Sequence, residues 1–335
     1  MKEDFSGFFS GKKVLVTGAG GFIGSHLAEE LVKIGARVRA FVRYNSRNDW
    51  GMLELLPKHI LQEMEIVAGD IQDPFFVKRA VKGCGIVFHL AALIPIPYSY
   101  KAPQSYVRIN VEGTLNLLQA CLETGVEKVI HTSTSEVYGT AKYVPIDEDH
   151  PLNPQSPYAA TKVAADKLAE SYYLSFELPV AIIRPFNTFG PRQSARAVIP
   201  TIVTQALTRD IVELGSLDPV RDLTYVKDTI RGFLAIANSS KSEGEVLNIG
   251  TGQGTTIGEL VTVVSKILGK ELKVCVEDER KRPEKSEVMR LICDYSKAKN
   301  MLNWTPRYSL EDGLREVVDW IGDNLSRYKV DIYNV

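Results

Sequence analysis

Net charge is almost absent from this chain: 40 Lys and Arg against 41 Asp and Glu leave −1 at neutral pH. No global field draws it to nucleic acid or to an anionic membrane, so any anionic ligand must be met by locally placed cations. Cysteine is scarce, with Cys84, Cys121, Cys275 and Cys293 far apart, no CxxC pair and no histidine at metal-ligand spacing. A disulfide framework is thereby excluded, no metal site is expected, and the thiols read as free groups in a reducing compartment. Long apolar runs are missing too. The most apolar stretch, Ile86 to Pro97, is short and interrupted by His89 and prolines, so no transmembrane span is expected. Glu3 and Asp4 stand where a secretory signal needs a basic and then an apolar region, which makes the cytoplasm the expected location.

What is present is a chain of 335 residues, 44% hydrophobic and 24% charged, enough for a large core in two substructures. Lys13 to Val16 is an apolar run entering a glycine cluster, and Ser25 to Ile34 then carries Leu27, Leu31, Val32 and Ile34 at mostly helical spacing. Further strands are predicted at Arg37 to Val42, Glu65 to Ala68, Gly85 to Leu90, Lys128 to Thr132 and Val180 to Arg184. Helices are predicted at Tyr106 to Glu123 and Tyr158 to Phe176. Strands alternating with helices imply an α/β fold built on a doubly wound parallel sheet. After Pro185 the rhythm breaks into loops and short strands, with helices at Ile257 to Leu268 and Leu310 to Asn324, as expected of a smaller mixed α/β substrate domain. Val246 to Ile249 is a further apolar strand placed to return to the main sheet. The expected division is therefore a nucleotide-binding domain over 1–185, with 229–254 returning to it, and a discontinuous substrate domain over 186–335.

Thr17-Gly18-Ala19-Gly20-Gly21-Phe22-Ile23-Gly24 sits directly after one strand and before one helix. Glycines there permit a tight turn and let backbone N–H groups and a helix N-terminus approach a pyrophosphate. The end of the second strand selects between dinucleotides, because an acid there accepts from a free ribose 2′-hydroxyl and repels a 2′-phosphate. No acid is present in Arg43-Tyr44-Asn45-Ser46-Arg47. Arg43 and Arg47 can pair with a phosphate and Asn45 and Ser46 can donate to it, which favours NADP over NAD, the alternative being that the arginines are plain solvated loop residues. Asp70, after the third strand, is placed for the adenine edge.

Tyr158 and Lys162 are four residues apart on a predicted helix, so they share a face. A tyrosine with a pKa near ~10 is a poor base at neutral pH, but a neighbouring ammonium stabilises its phenolate. Tyr158 can then take a proton from a substrate hydroxyl while hydride leaves the same carbon.

With these motifs in this order the chain resembles the extended short-chain dehydrogenase/reductase family, and within it the nucleotide-sugar-modifying enzymes. The likeness is carried by Thr17 to Gly24, Gly69-Asp70, His89-Leu90-Ala91-Ala92, Asn110 to Thr114, Tyr158 to Lys162, Arg184 to Asn187 and Arg221 to Val226. It implies a Rossmann domain in which Gly18, Gly21, Phe22, Ile23, Gly24, Ile71, Leu90 and Ala91 contact the dinucleotide, with the cofactor reduced and re-oxidised within one turnover. Family members that only epimerise at C4 usually lack an acid after the fifth strand, whereas this chain has Thr134-Ser135-Glu136 there. Oxidation of C4 acidifies the C5 proton, and a carboxylate such as Glu136 can remove it while the C6 hydroxyl leaves as water. Thr134 is expected to hydrogen-bond near O4 and stabilise charge developing there. Ser135 replaces a second carboxylate, so either Glu136 serves as base and then acid or Ser135 and water relay the proton.

The resemblance implies a 4,6-dehydratase, closest to bacterial enzymes acting on UDP-N-acetylglucosamine. A UDP-glucuronate decarboxylase, a UDP-hexose 4-epimerase and a non-catalytic NAD(P)-binding sensor remain rivals, and since the residues do not read out the nucleotide base, GDP- and dTDP-linked hexoses stay open as substrates. The loop Leu93 to Tyr100, expected to face C6 and to bring Pro97 and Tyr98 to the sugar, offers no cation for a carboxylate. Asn187, Arg192, Arg221 and Arg282 are the expected partners of the substrate diphosphate and base. Arg282 also fits the plainer reading of a solvated charged run from Glu277 to Glu287. A homodimer through the helices Tyr106 to Glu123 and Tyr158 to Phe176 is expected from the resemblance, although Leu115, Leu118, Val163 and Leu168 are equally explained by core packing.

Overall fold

A computed structural model describes residues 5–330, 332 and 333; Glu3 and Asp4, on which the reading of the N-terminus rests, lie outside the described residues. Strands form at β1 (Lys13–Thr17), β2 (Arg37–Arg43), β3 (Glu65–Gly69), β4 (Ile86–His89), β5 (Lys128–Thr132), β6 (Val180–Pro185) and β7 (Asn187–Phe189). They continue with β8 (Ile211–Leu214), β9 (Val220–Tyr225), β10 (Val246–Ile249), β11 (Gly254–Thr256), β12 (Lys273–Val276) and β13 (Arg290–Leu291). Seven of them make one parallel sheet in the order β10-β6-β5-β4-β1-β2-β3. Their side chains divide between two faces as the pleat requires. Val14, Val16, Phe88 and Ile130 enter one apolar layer with Leu27, Leu31 and Phe233. Leu15, Val87, Val129 and Val180 enter the other with Leu117, Cys121 and Tyr172. Both faces are covered, which is why these strands read as continuous apolar runs. Each buried aliphatic side chain contributes on the order of 1.5–3 kcal/mol.

The strand order reverses between β1 and β4, and at such a switch the loops after neighbouring strands diverge and leave a crevice. Local sequence sets the helices around it. Ser156 accepts from the Ala159 N–H at 3.1 Å, and Pro157 occupies the first turn of the helix Pro157–Phe176, where its fixed φ suits a helix start.

One expected helix is not continuous. Instead of a single run from Tyr106 to Glu123, a short helix Pro103–Tyr106 passes through a π-helical segment, Val107–Glu112, into the helix Gly113–Thr124. The wider turn directs Asn110 inward, where its Nδ2 donates to Leu93 O at 2.9 Å and Thr161 Oγ1 at 3.1 Å while its Oδ1 accepts from Leu93 N at 2.8 Å. A widened turn of this kind shifts the helical phase, and that is not visible in apolar spacing.

Val246–Ile249 pairs with β6 in parallel, so the chain returns to the main sheet after building part of the smaller unit. There β9 pairs with β7, β11 and β13, while β8 pairs with β12. Asp222 on β9 ties this unit to the loop after β10: its oxygens accept from Thr251 N, Thr251 Oγ1, Gly252 N and Cys293 N at 2.7–3.1 Å. Asp222→Ala strands four donors in a buried site, and a loss on the order of 3 kcal/mol is expected, read as a lower urea midpoint at unchanged slope. Among the described residues no helix is long and apolar enough to cross a membrane, and no cluster of three or more His, Cys, Asp or Glu side chains is placed to hold a metal ion.

Candidate active site

A cleft of about 670 Å³ opens at the switch point, within the range of small-molecule sites. The glycine turn forms its floor. Gly18 has φ +68°, and a Cβ there would stand 2.8 Å from Ala91 N. A Cβ on Gly24 would come within 2.3 Å of Gly18 O, so this turn and the helix Phe22–Lys33 fit together only without side chains. Gly21 caps that helix without a side chain, leaving first-turn N–H groups for an anion. Gly24→Ala is therefore expected to weaken dinucleotide binding about 10- to 100-fold, measured by fluorescence titration.

At one end Arg43, Asn45, Arg47, Asp49, Asp70 and Ile71 line the cleft, while Ser46 is exposed and outside the lining. The Asn45 side chain is spent on its own loop: Oδ1 accepts from Arg47 N and Asp49 N at 3.1 Å, and Nδ2 donates to Asp49 O at 2.7 Å. Asp49 was not singled out from the sequence, since nothing in its spacing marks it. Its carboxylate lies 3.6 Å from Arg47 and accepts from Gly51 N at 2.7 Å.

In the middle, Phe22, Ile23, Leu90, Ala91 and the β5 end converge with Tyr158 and Lys162. Thr134, two residues past the end of β5, accepts from Glu136 N at 3.2 Å and caps the short 3₁₀ segment Ser135–Tyr138, which presents Glu136 to the cleft. Lys162 Nζ donates to Thr132 O at 2.5 Å. Burial lowers the Lys162 pKa to about 8, with Asp166 opposing the shift. The Tyr158 phenol is pushed above its ordinary value, by burial first and also by the Glu136 charge, while Thr134 pulls it down. The sequence expectation was a depressed phenol. It is not met in the protein alone because Tyr158 is only 7% exposed and burial disfavours the phenolate.

The substrate residues separate into two groups. Asn187 lines the cleft, and its Oδ1, like Thr132 Oγ1 and Gln193 Oε1, is buried without a hydrogen-bond partner. Arg221, which like Arg282 lies outside the cleft lining, is buried close to Glu136. Burial depresses its pKa, Glu136 opposes this, Arg282 adds to it and Glu287 opposes it. One carboxylate oxygen of Glu287 meets Arg221 at 3.3 Å and Arg282 at 3.5 Å, holding both guanidiniums together. Glu287 lies in the charged run from Glu277 and gave no separate signal. Arg192 is a correction: its guanidinium donates to Glu29 and His26, each at 2.6 Å, and lies outside the cleft lining. Burial and the Arg192 charge together hold the His26 pKa down to about 3. Pro97 and Tyr98 are also corrected. They belong to the helix Ile96–Lys101, Leu93 and Ile94 line the cleft instead, and the Tyr98 ring packs 6.1 Å from that of Tyr106.

The glycine cradle, the uncapped helix and the orphaned polar atoms fit a dinucleotide. Together with a Tyr-Lys pair and a carboxylate lining the same cleft, they fit a Rossmann-type enzyme that works with a nicotinamide dinucleotide. The chain belongs to the nucleotide-sugar dehydratase and epimerase family whose model is described as GDP-mannose 4,6 dehydratase, matched over residues 15–317. It is 33% identical over 321 residues to a dTDP-glucose 4,6-dehydratase of an Actinoplanes species, covering 94% of this chain and 99% of that one. It is equally 33% identical over 314 residues to the UDP-glucose 4-epimerase of Mycolicibacterium smegmatis, covering 92% and 98%. Among solved structures, the dTDP-glucose 4,6-dehydratase DesIV from Streptomyces venezuelae, with NAD bound, superposes with TM-score 0.84 at 30% identity, covering 95% and 99%. The UDP-glucuronic acid 4-epimerase from Bacillus cereus, in complex with UDP-glucuronic acid and NAD, gives 0.84 at 32%, covering 93% and 99%.

Proposed function

We propose that this enzyme is a nucleotide-sugar 4,6-dehydratase converting UDP-N-acetylglucosamine to the UDP-4-keto-6-deoxy sugar. The observation that carries the reading is Glu136, presented to the same cleft as Tyr158 and Lys162. A nicotinamide dinucleotide bound along the glycine turn supplies the acceptor of the C4 hydride and the donor to C6. Tyr158 takes the proton of the C4 hydroxyl, Lys162 stabilises the phenolate, and Thr134 holds the oxygen. Glu136 removes the C5 proton and Ser135 with water relays it to the C6 hydroxyl, which leaves as water; as hydride reaches C6, C5 takes up the proton that Tyr158 gained from the C4 hydroxyl, and both side chains return to their starting states. Arg221 and Arg282, paired through Glu287, and Asn187 hold the diphosphate and base. Incubation with UDP-N-acetylglucosamine is expected to yield a product lighter by one water. Carbon dioxide released from UDP-glucuronate instead would sink the reading.

A 4-epimerase is the second reading, favoured by the epimerases among the relatives; recovery of the C4 epimer with no mass change identifies it. For the cofactor, Arg43 at the cleft supports NADP, while Asp49, which lines the same end beside Arg47, and the NAD in the solved relatives favour NAD. The dinucleotide extracted from purified enzyme is expected to be NADP, and NAD alone refutes the role given to Arg43. A homodimer through the two helices is part of the same reading. Of the four positions considered, Leu118 is buried in the core, Val163 and Leu168 are partly buried, and Leu115 is 40% exposed. Light scattering distinguishes a dimer from a monomer.

A further inference from the structure

Beneath the cleft lies a fully buried carboxylate that the chemistry above does not use. Asp166 follows Lys162 by one turn on the helix Pro157–Phe176, so the two share a face. Its Oδ2 accepts from Ser133 Oγ at 2.7 Å and from Arg184 Nε and Nη2 at 3.2 and 3.0 Å. Its Oδ1 stands 3.3 Å from His131 Nε2. Arg184 Nη1 donates to the Tyr138 hydroxyl at 2.9 Å, and that hydroxyl donates to Asn248 Oδ1 at 2.8 Å. The helix therefore grips two consecutive residues at the end of β5: Thr132 through Lys162 and Ser133 through Asp166. Thr134, Ser135 and Glu136 follow directly, and Tyr138, two residues further, is tied back to Asp166 by Arg184.

The charges around Lys162 give this arrangement a sign. On its own helix stand Tyr158 and Asp166, on β6 Arg184, on β4 and β5 His89 and His131, and on the 3₁₀ segment Glu136 and Tyr138. Burial first keeps both imidazoles below their usual pKa; the His131 and Lys162 charges add to this at His89, while at His131 Asp166 opposes it and Lys162 and Arg184 add to it. Two buried cations, Lys162 and Arg184, thus lie about one buried carboxylate, and Asp166 is the group whose attraction opposes the effect of burial on Lys162.

We propose that Asp166 is a positioning residue of this site, whose charge keeps Lys162 an ammonium directed at Thr132 and whose hydrogen bond to Ser133 fixes the strand end that presents Glu136. The functional consequence rests on the redox role given to Tyr158 and Lys162; the electrostatic coupling does not. Lysines labelled with ¹³C at Cε are titrated by NMR in the enzyme as purified, with Lys162→Met identifying the resonance. Lys162 is expected to titrate near 8 in the parent and about one unit or more lower in Asp166→Asn, with Asp166→Glu restoring most of the difference. Ser133→Ala keeps the charge and is expected to leave the midpoint in place. The alkaline limb of turnover is expected to move down with the Lys162 midpoint in Asp166→Asn, whereas a purely structural role lowers turnover equally at every pH. A folded Asp166→Asn with an unmoved Lys162 midpoint overturns the proposal. Should that variant not fold, Arg184→Gln reads the coupling from the other side: Asp166, released from the guanidinium, raises the Lys162 midpoint, and no rise overturns it. Because the titration needs no substrate, absence of turnover on UDP-N-acetylglucosamine bears on the proposed reaction alone.

Discussion

Glu136→Gln is expected to lower water loss by about 10³-fold, within the range for removal of a general base, while hydride transfer to the dinucleotide stays within about tenfold of the parent. The asymmetry follows from where the side chain sits. Glu136 is turned into the cleft by the 3₁₀ segment after Thr134, and its backbone N–H, not its carboxylate, makes the local hydrogen bond to Thr134. A glutamine keeps that N–H and nearly the same volume, so the segment holds its shape and only the base is lost. Absorbance of the reduced nicotinamide in a single turnover reports the first half, and mass spectrometry of the sugar reports the second. Equal loss of both would mean that Glu136 shapes the site without taking the C5 proton. The substitution also removes a negative charge near Arg221, which frees that guanidinium for the anionic substrate, so a lower KM is expected beside the lower kcat.

Tyr158→Phe has the complementary signature. Removing the phenolic hydroxyl is expected to slow hydride transfer about 10²- to 10⁴-fold, and water loss with it, because elimination waits on the C4 ketone. Dinucleotide affinity should change little, since the glycine turn is separate and the phenyl ring preserves the packing against Tyr106, whose ring lies 6.3 Å away. Stopped-flow absorbance with a fixed excess of nucleotide sugar measures the step. A Tyr158→Phe enzyme that still reduces its cofactor at the parent rate would remove Tyr158 from the proton transfer.

The architecture was legible because parallel strands buried on both faces must be apolar throughout, and β1, β5 and the helix Ile257–Leu268 fall where apolar runs and spacing put them. The glycine turn and the Tyr-Lys pair were legible because their chemistry permits little variation in residue type. Other features depend on which side chain meets which partner. Arg192 looked like a free cation in a loop, yet Glu29 and His26 on a distant helix claim it. Glu287 and Asp49 sit in ordinary polar stretches and gain meaning only from the arginines that the fold brings beside them. The π-helical turn at Asn110 escapes any periodicity argument, because one widened turn leaves the average spacing almost unchanged.

The late return of β10 to the sheet has a consequence for synthesis. A chain emerging from the ribosome can assemble six strands once Pro185 is out, but the open edge of β6 then stays bare until Ile249 has followed. Bare edges invite pairing with other chains, and nascent domains are most exposed to this while translation is slow. Chains stalled or truncated between these two points are therefore the ones for which chaperone capture matters most.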